Sequence, residues 1–252
     1  MSGLSFDSPA VASGMGLFET MLVVDGTVIQ LREHCSRMAR SSVALGFPTL
    51  DESSFREAAL HAVRGVKGEC AVRVIRVAGG TGEWLLHASM FQVPCATMSR
   101  RERGFATTLD SSTTRSLPQH KMTSYAVCTL ALRDAVAEGA DEALFTMGDS
   151  AILEGTGSNV FALQAATLVT APVSAGILPG IIRDWVLATA PLAGLAIEER
   201  PPTTSEIEAG SFFTGSLTKL APVRALNGRK CVSPGEPFFD LVRRYEQLIA
   251  DT

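Results

Sequence analysis

Asp25-Gly26 stands between two β-like runs, Phe18–Val24 and Thr27–Leu31. A dipeptide that tolerates positive φ between two such runs is a strong signal for a tight antiparallel hairpin. Parallel βαβ winding joins its strands by long crossovers instead, so this turn steers the first part of the chain toward an α+β arrangement. The neighbouring segments agree. Glu33 to Leu45 reads as a helix, with Met38, Val43 and Leu45 on one face and Gly46-Phe47-Pro48 as its stop. Ser53–Val66 reads as a second helix, with Phe55, Ala58, Ala59 and Ala62 on one side. Ala71–Ala78, closed by Gly79-Gly80, and then Trp84–Val93 read as strands.

Between Arg100 and Leu117 the chain turns polar, with Ser111-Ser112-Thr113-Thr114 and few apolar residues. That places an inter-domain segment at 108–115, between a smaller domain over 1–107 and a larger one over 116–252. The second domain opens with a helix over Tyr125–Glu138, ended by Gly139. A strand over Glu142–Met147 and a turn at Gly148-Asp149-Ser150 come next, then strands over Ala151–Leu153, Asn159–Leu163 and Thr167–Thr170. Gly180–Ala190 reads as a helix, Ser211–Thr214 and Val223–Leu226 as short strands, and Phe238–Ala250 as a terminal helix. Strands and helices mixed in both halves give an α+β protein of two domains.

Composition narrows the chemistry. Hydrophobic residues are 46% and charged residues 19% of 252, the balance of a packed protein rather than a disordered one. A net charge of −4 offers no clustered cationic surface, so nucleic acid is set aside. No apolar run approaches the roughly 20 residues that span a bilayer, and Met1-Ser2-Gly3 opens no targeting segment, so a cytosolic protein with no membrane partner is expected. Cys35, Cys70, Cys95, Cys128 and Cys231 are scattered, as are His34, His61, His87 and His120, so neither a disulfide framework nor a metal site is suggested. Any chemistry therefore rests on plain side chains or an organic cofactor.

Lys121, between His120 and Met122 ahead of an apolar helix, reads first as a solvated lysine at a helix start; buried, it becomes a usable amine. Glu154 lies in Leu153-Glu154-Gly155-Thr156-Gly157-Ser158-Asn159, an acid in a turn between two apolar runs. It is either an ordinary loop glutamate or an anion placed to hold a cationic ring nitrogen. Leu178-Pro179-Gly180-Ile181-Ile182 sets Pro and Gly before a helix whose free N–H groups suit a phosphate or simply begin the helix. Arg37, with its fork of donors, and Gly215-Ser216, in Thr214-Gly215-Ser216-Leu217, offer two more anion contacts. Taken alone, Lys121 and Glu154 read better as ordinary solvated residues, and the anion contacts read equally well as turn or capping groups.

Their order decides more than any one of them. Gly16-Leu17-Phe18-Glu19-Thr20, His34-x-x-Arg37, Arg73 ahead of Gly79, and Lys121 with Tyr125 come first. Gly139-Ala140-Asp141-Glu142, Glu154-Gly155-Thr156-Gly157-Ser158-Asn159, Gly176-Ile177-Leu178-Pro179-Gly180-Ile181-Ile182-Arg183 and Pro222-Val223 come after. From about Gly14 to Val223 the chain resembles the fold-type-IV pyridoxal-5′-phosphate (PLP) enzymes, namely D-amino-acid and branched-chain aminotransferases and 4-amino-4-deoxychorismate lyase. The 33 residues from Lys121 to Glu154 match that family's spacing.

The resemblance implies a two-domain, D-amino-acid aminotransferase-like fold and a homodimer that completes the site. It implies that Lys121 is the catalytic residue and carries PLP as a Schiff base, with Tyr125 near the phenolic oxygen and Glu154 at the ring nitrogen. Arg37, the N–H groups of Ile181 and Ile182, and Ser216 would hold the phosphate; Phe18, Thr20, Leu22, Gly215 and Leu217 would face the substrate. The partners implied are an amino substrate with a 2-oxo acid, or aminodeoxychorismate. Amino transfer to a 2-oxo acid is the leading expectation; the lyase is its alternative, and a cofactor-binding protein without catalysis a third. Departures from the pattern are the short stretch before Gly14, Ile182 in place of a threonine, Leu22 where relatives often carry Arg, and Thr218-Lys219-Leu220 without the usual Glu.

Overall fold

The computed structural model describes residues 6–111, 115–148 and 151–252. The chain divides into two compact units, one running to Val93 and taking in His120–Tyr125, the other holding Pro94–Gln119 and Ala126–Asp251. Among the described residues no helix is long and apolar enough to cross a membrane.

The first unit runs α1 (Pro9–Ser13), β1 (Gly16–Val24), β2 (Thr27–Val28), α2 (Leu31–Ala44), α3 (Glu52–Ala62), β3 (Glu69–Ala78) and β4 (Trp84–Phe91). Its four strands form an antiparallel sheet in the order β2-β1-β3-β4. The expected hairpin is there: Asp25 and Gly26 take φ of 49° and 82°, and Val24 pairs with Thr27. Its second strand is shorter than the sequence suggests, because Gln30 enters the left-handed region (φ 53°) and turns the chain into α2 at Leu31. Period-two alternation puts Leu17, Met21 and Val23 into a core with Met38 of α2, Phe55 and Ala59 of α3, and Val72 and Val74 of β3. Phe18, Thr20 and Leu22 have the opposite parity, so the residues expected to meet substrate share the other face.

The second unit runs α4 (Cys95–Arg103), β5 (Phe105–Asp110), α5 (Ala126–Ala137), β6 (Glu142–Met147), β7 (Ala151–Gly155), β8 (Asn159–Gln164) and β9 (Thr167–Thr170). It continues with α6 (Ile181–Thr189), β10 (Ala196–Glu199), α7 (Thr204–Ala209), β11 (Ser211–Gly215), β12 (Lys219–Leu226), β13 (Arg229–Lys230) and α8 (Glu236–Ala250). A nine-stranded mixed sheet has the order β10-β9-β8-β11-β12-β5-β6-β7, with β13 on β12. Strand β7 returns to β8 through the single pair Glu154↔Asn159, closing the sheet on itself. Adjacent residues serve opposite faces: Phe213 packs with Phe105 and Val160, Phe212 with Val186 of α6 and Phe238 of α8.

The polar stretch expected to link the domains is instead built into the second unit. Strand β5 crosses the expected boundary at 107 and pairs with both β12 and β6, burying Phe105 and Thr107. Arg100 and Arg103, at the start of that polar stretch, both donate to Asp141. Ser112–Thr114 of that expected segment, and Asp149 and Ser150 of the expected turn, lie outside the described residues.

Candidate active site

In the first unit Lys121 lies on a short segment bridged to the edge of β1: Phe18 N donates to Lys121 O at 2.9 Å and Thr123 N to Gly16 O at 2.9 Å. Gly16 allows this approach, since a Cβ there would stand 2.8 Å from Arg76 O and 2.9 Å from Thr123 Oγ1. The Lys121 ammonium lies 4.7 Å from the Phe18 ring centroid and 5.6 Å from that of Tyr125, and the two rings meet edge to face at 5.3 Å. On the same face Arg73 donates through Nε to Thr20 Oγ1 at 3.2 Å, with its guanidinium carbon 5.6 Å from the Phe18 centroid. Leu22 is buried on β1.

Arg37 has a different setting. Its Nε and Nη2 donate to the Glu19 carboxylate at 2.8 and 2.6 Å, and His34 Nδ1 reaches the same group at 2.6 Å, all three side chains being buried. Burial pushes the Glu19 carboxyl up, but Arg37 and His34 outweigh it and hold the group at about 2. Burial pushes His34 down, against the pull of the Glu19 carboxylate 2.6 Å from its Nδ1. Glu19 was not expected in the site, although its parity with Leu17 and Met21 marked it as a buried acid in need of a cation.

The second unit gathers Glu154, Asn159, the start of α6 and the end of β11. Glu154 Oε1 accepts from Arg115 Nε (3.1 Å) and Nη2, while Oε2 accepts from Asn159 Nδ2 (3.2 Å) and Leu178 N (3.0 Å). Gly180, the N-cap of α6, sits against Asn159: a Cβ at 180 would overlap Asn159 Oδ1. No side chain caps this helix among the described residues, and both Ile181 and Ile182 are buried. Thr214, cross-strand partner of Asn159, carries a buried hydroxyl with no hydrogen-bond partner among the described residues. An uncapped helix start and an orphaned donor suit an anion such as phosphate, and the Glu154 carboxylate suits a protonated ring nitrogen. The Gly215-Ser216-Leu217 turn is held by Arg101, whose Nε and Nη2 donate to Leu217 O at 2.8 and 2.6 Å.

Beneath this loop lies a second acid, Glu142, which accepts from the N–H of Ala143 and Thr156 at 3.1 Å, from Thr156 Oγ1, and from Ser158 Oγ at 3.2 Å. Burial pushes its carboxyl up against those bonds. Sequence reasoning missed Arg115, Asn159, Thr214 and the bracing role of Glu142. An arginine in Thr114-Arg115-Ser116 looks solvated, and only tertiary burial says otherwise. The expected residues thus fall into two sets: Phe18, Thr20, Leu22, Arg37, Lys121 and Tyr125 in the first unit, and Glu154, Ile181, Ile182, Gly215, Ser216 and Leu217 in the second.

Comparison with known proteins gives these two sets a context. Residues 16–226 match the family model described as amino-transferase class IV. A putative branched-chain-amino-acid aminotransferase of Methanocaldococcus jannaschii is 28% identical over 86% of this chain and 80% of its own length. A bifunctional aminodeoxychorismate lyase / D-amino acid transaminase of Mycobacterium tuberculosis is 28% identical over 90% of this chain and 87% of its own. Among solved structures, a hypothetical aminotransferase of Mycobacterium tuberculosis in its α-ketoglutarate- and PMP-bound form superposes with a TM-score of 0.90 at 25% identity, covering 100% of this chain and 95% of that one.

Proposed function

The chain belongs to the class IV aminotransferase family, and on that premise we propose that it is a PLP-dependent enzyme transferring an amino group from an amino acid to a 2-oxo acid. The observation that carries this reading is the buried Glu154 carboxylate, fixed by hydrogen bonds to both oxygens beside the uncapped start of α6. PLP, when bound, supplies a ring that draws negative charge from the substrate's α-carbon.

The chain's own residues would do the rest. The Lys121 amine is the group that would hold the cofactor and then move the proton at the α-carbon, its travel limited by the Phe18 and Tyr125 rings. Tyr125 would donate toward the cofactor's phenolic oxygen, and Glu154 would keep the ring-nitrogen proton in place. The N–H groups of Ile181 and Ile182 would bind the phosphate with Ser216, while Arg37, its Nε edge held by Glu19, would add positive charge. Phe18, Thr20, Leu22, Gly215 and Leu217 would bound the space left for substrate. The same reading makes the protein a cytosolic homodimer.

Borohydride reduction and then peptide mapping should find the pyridoxyl group on Lys121, and a panel of L- and D-amino acids with 2-oxoglutarate or pyruvate should give amino transfer. Label on another lysine, or none despite added PLP, would sink the assignment. Similarity to the bifunctional Mycobacterium tuberculosis protein favours a second reading, 4-amino-4-deoxychorismate lyase activity. Incubation with aminodeoxychorismate separates the two chemistries.

A further inference from the structure

Glu154 poses a problem that its proposed role does not solve. A carboxylate with a side chain only 5% exposed is unstable without a counter-charge, yet it must stay ionised and correctly aimed before any cationic ring arrives. Arg115, its own side chain 8% exposed, meets both needs. Its Nε and Nη2 converge on one oxygen, Oε1, and Nη2 also donates to Pro118 O at 2.8 Å, which ties the guanidinium to its own loop. Asn159 Nδ2 and Leu178 N hold the other oxygen, so the carboxylate plane is gripped from both ends.

We propose that Arg115 is the positioning residue of this site, keeping Glu154 ionised and aimed through a buried ion pair. The role rests on the reading of Glu154 as acceptor for the ring nitrogen. Arg115 needs no contact with cofactor or substrate. Its effect on turnover passes through Glu154, which distinguishes it from a residue that merely supports the fold.

Two double-mutant cycles on Arg115→Gln and Glu154→Gln test this. In the apo-protein, each single change should lower the urea midpoint, and the double variant should regain at least half of the combined loss, since no buried charge is then stranded. In the PLP-loaded enzyme, Arg115→Gln should lower kcat about tenfold or more with KM for the amino donor little changed, and Arg115→Lys should recover part of it. On the Glu154→Gln background the same change should alter kcat less than about twofold. If that background turns over too slowly, the visible band of bound PLP is read instead: Arg115→Gln should shift it only while Glu154 is present. Additive kcat losses, additive band shifts, or an uncoupled apo cycle would overturn the role of Arg115. Parental turnover in Glu154→Gln would overturn the ring-nitrogen reading itself, and this inference with it.

Discussion

At the residue scale, the buried triad of Glu19, His34 and Arg37 makes acid sensitivity a local property. Glu19 is held at about 2, below its ordinary value of 4.5, so the folded state binds its proton less readily than the unfolded chain does. Stability from this group is present above about pH 4.5 and is lost as pH falls toward 2, a span of about 3 kcal/mol. Glu19→Gln should flatten that part of the pH profile. At pH 7 it should also cost about 3–5 kcal/mol, because the Arg37 guanidinium is left buried without its anion. Urea unfolding of both proteins across pH 2 to 7 checks this; parallel profiles would show that the pair carries no such linkage. In an Arg37→Ala variant, any loss of cofactor affinity would mix a lost cation with a stranded Glu19.

At the element scale, α6 joins the packing of the second unit to its proposed phosphate site. Ile182, which replaces the threonine common in the family, lies 2% exposed in the cluster of Val186, Phe212 and Phe238. Ile182→Thr should therefore strand a hydroxyl in the core and destabilise the protein by about 1–3 kcal/mol, with no gain in PLP affinity. A tighter PLP titration curve for that variant would show that the side chain turns toward the anion instead. Element boundaries lie close to the expected ones where punctuation is strong: Gly139 follows the end of α5 and Gly180 stands at the N-terminal boundary of α6. Helix α7 was missed despite a full capping box, with Thr203 and Glu206 bonding each other's backbone, because six residues carry too little apolar periodicity to notice.

At the scale of the whole molecule, Asp141 shows how distant segments are held in one unit. It accepts from Arg100 at 3.0 Å and Arg103 at 2.8 Å on α4, from Arg224 at 3.4 Å on β12, and from Ala106 N at 3.0 Å on β5. Those arginines are 22 to 45% exposed, so each pair is worth little alone. Asp141→Asn should cost about 1–2 kcal/mol in total and speed amide exchange at the β5–β6 junction, where Asp141 N also donates to Ala106 O. Unchanged exchange there would remove Asp141 as the staple.

The features that the sequence by itself determined are those encoded by neighbours in the chain. The Asp25-Gly26 hairpin, the alternation that buries Leu17, Met21 and Val23, the strand over Glu142–Met147 and the glycine-led start of α6 all arise from local sterics and periodicity. The ordered run of motifs from Gly16 to Val223 carried the family, since many short matches in one order are hard to meet by accident. Only the tertiary structure decided where the charged side chains belong. An arginine reads the same in a polar run whether water or a carboxylate receives it, and burial, set by residues far away in sequence, makes the difference. So Arg100 and Arg103 converge on Asp141, Arg115 of the polar run becomes the partner of Glu154, and Arg37, expected at the phosphate, shares a bond with Glu19. The pairing of Glu154 with Asn159 that closes the second sheet is of the same kind, because register between strands depends on the packing of the whole unit.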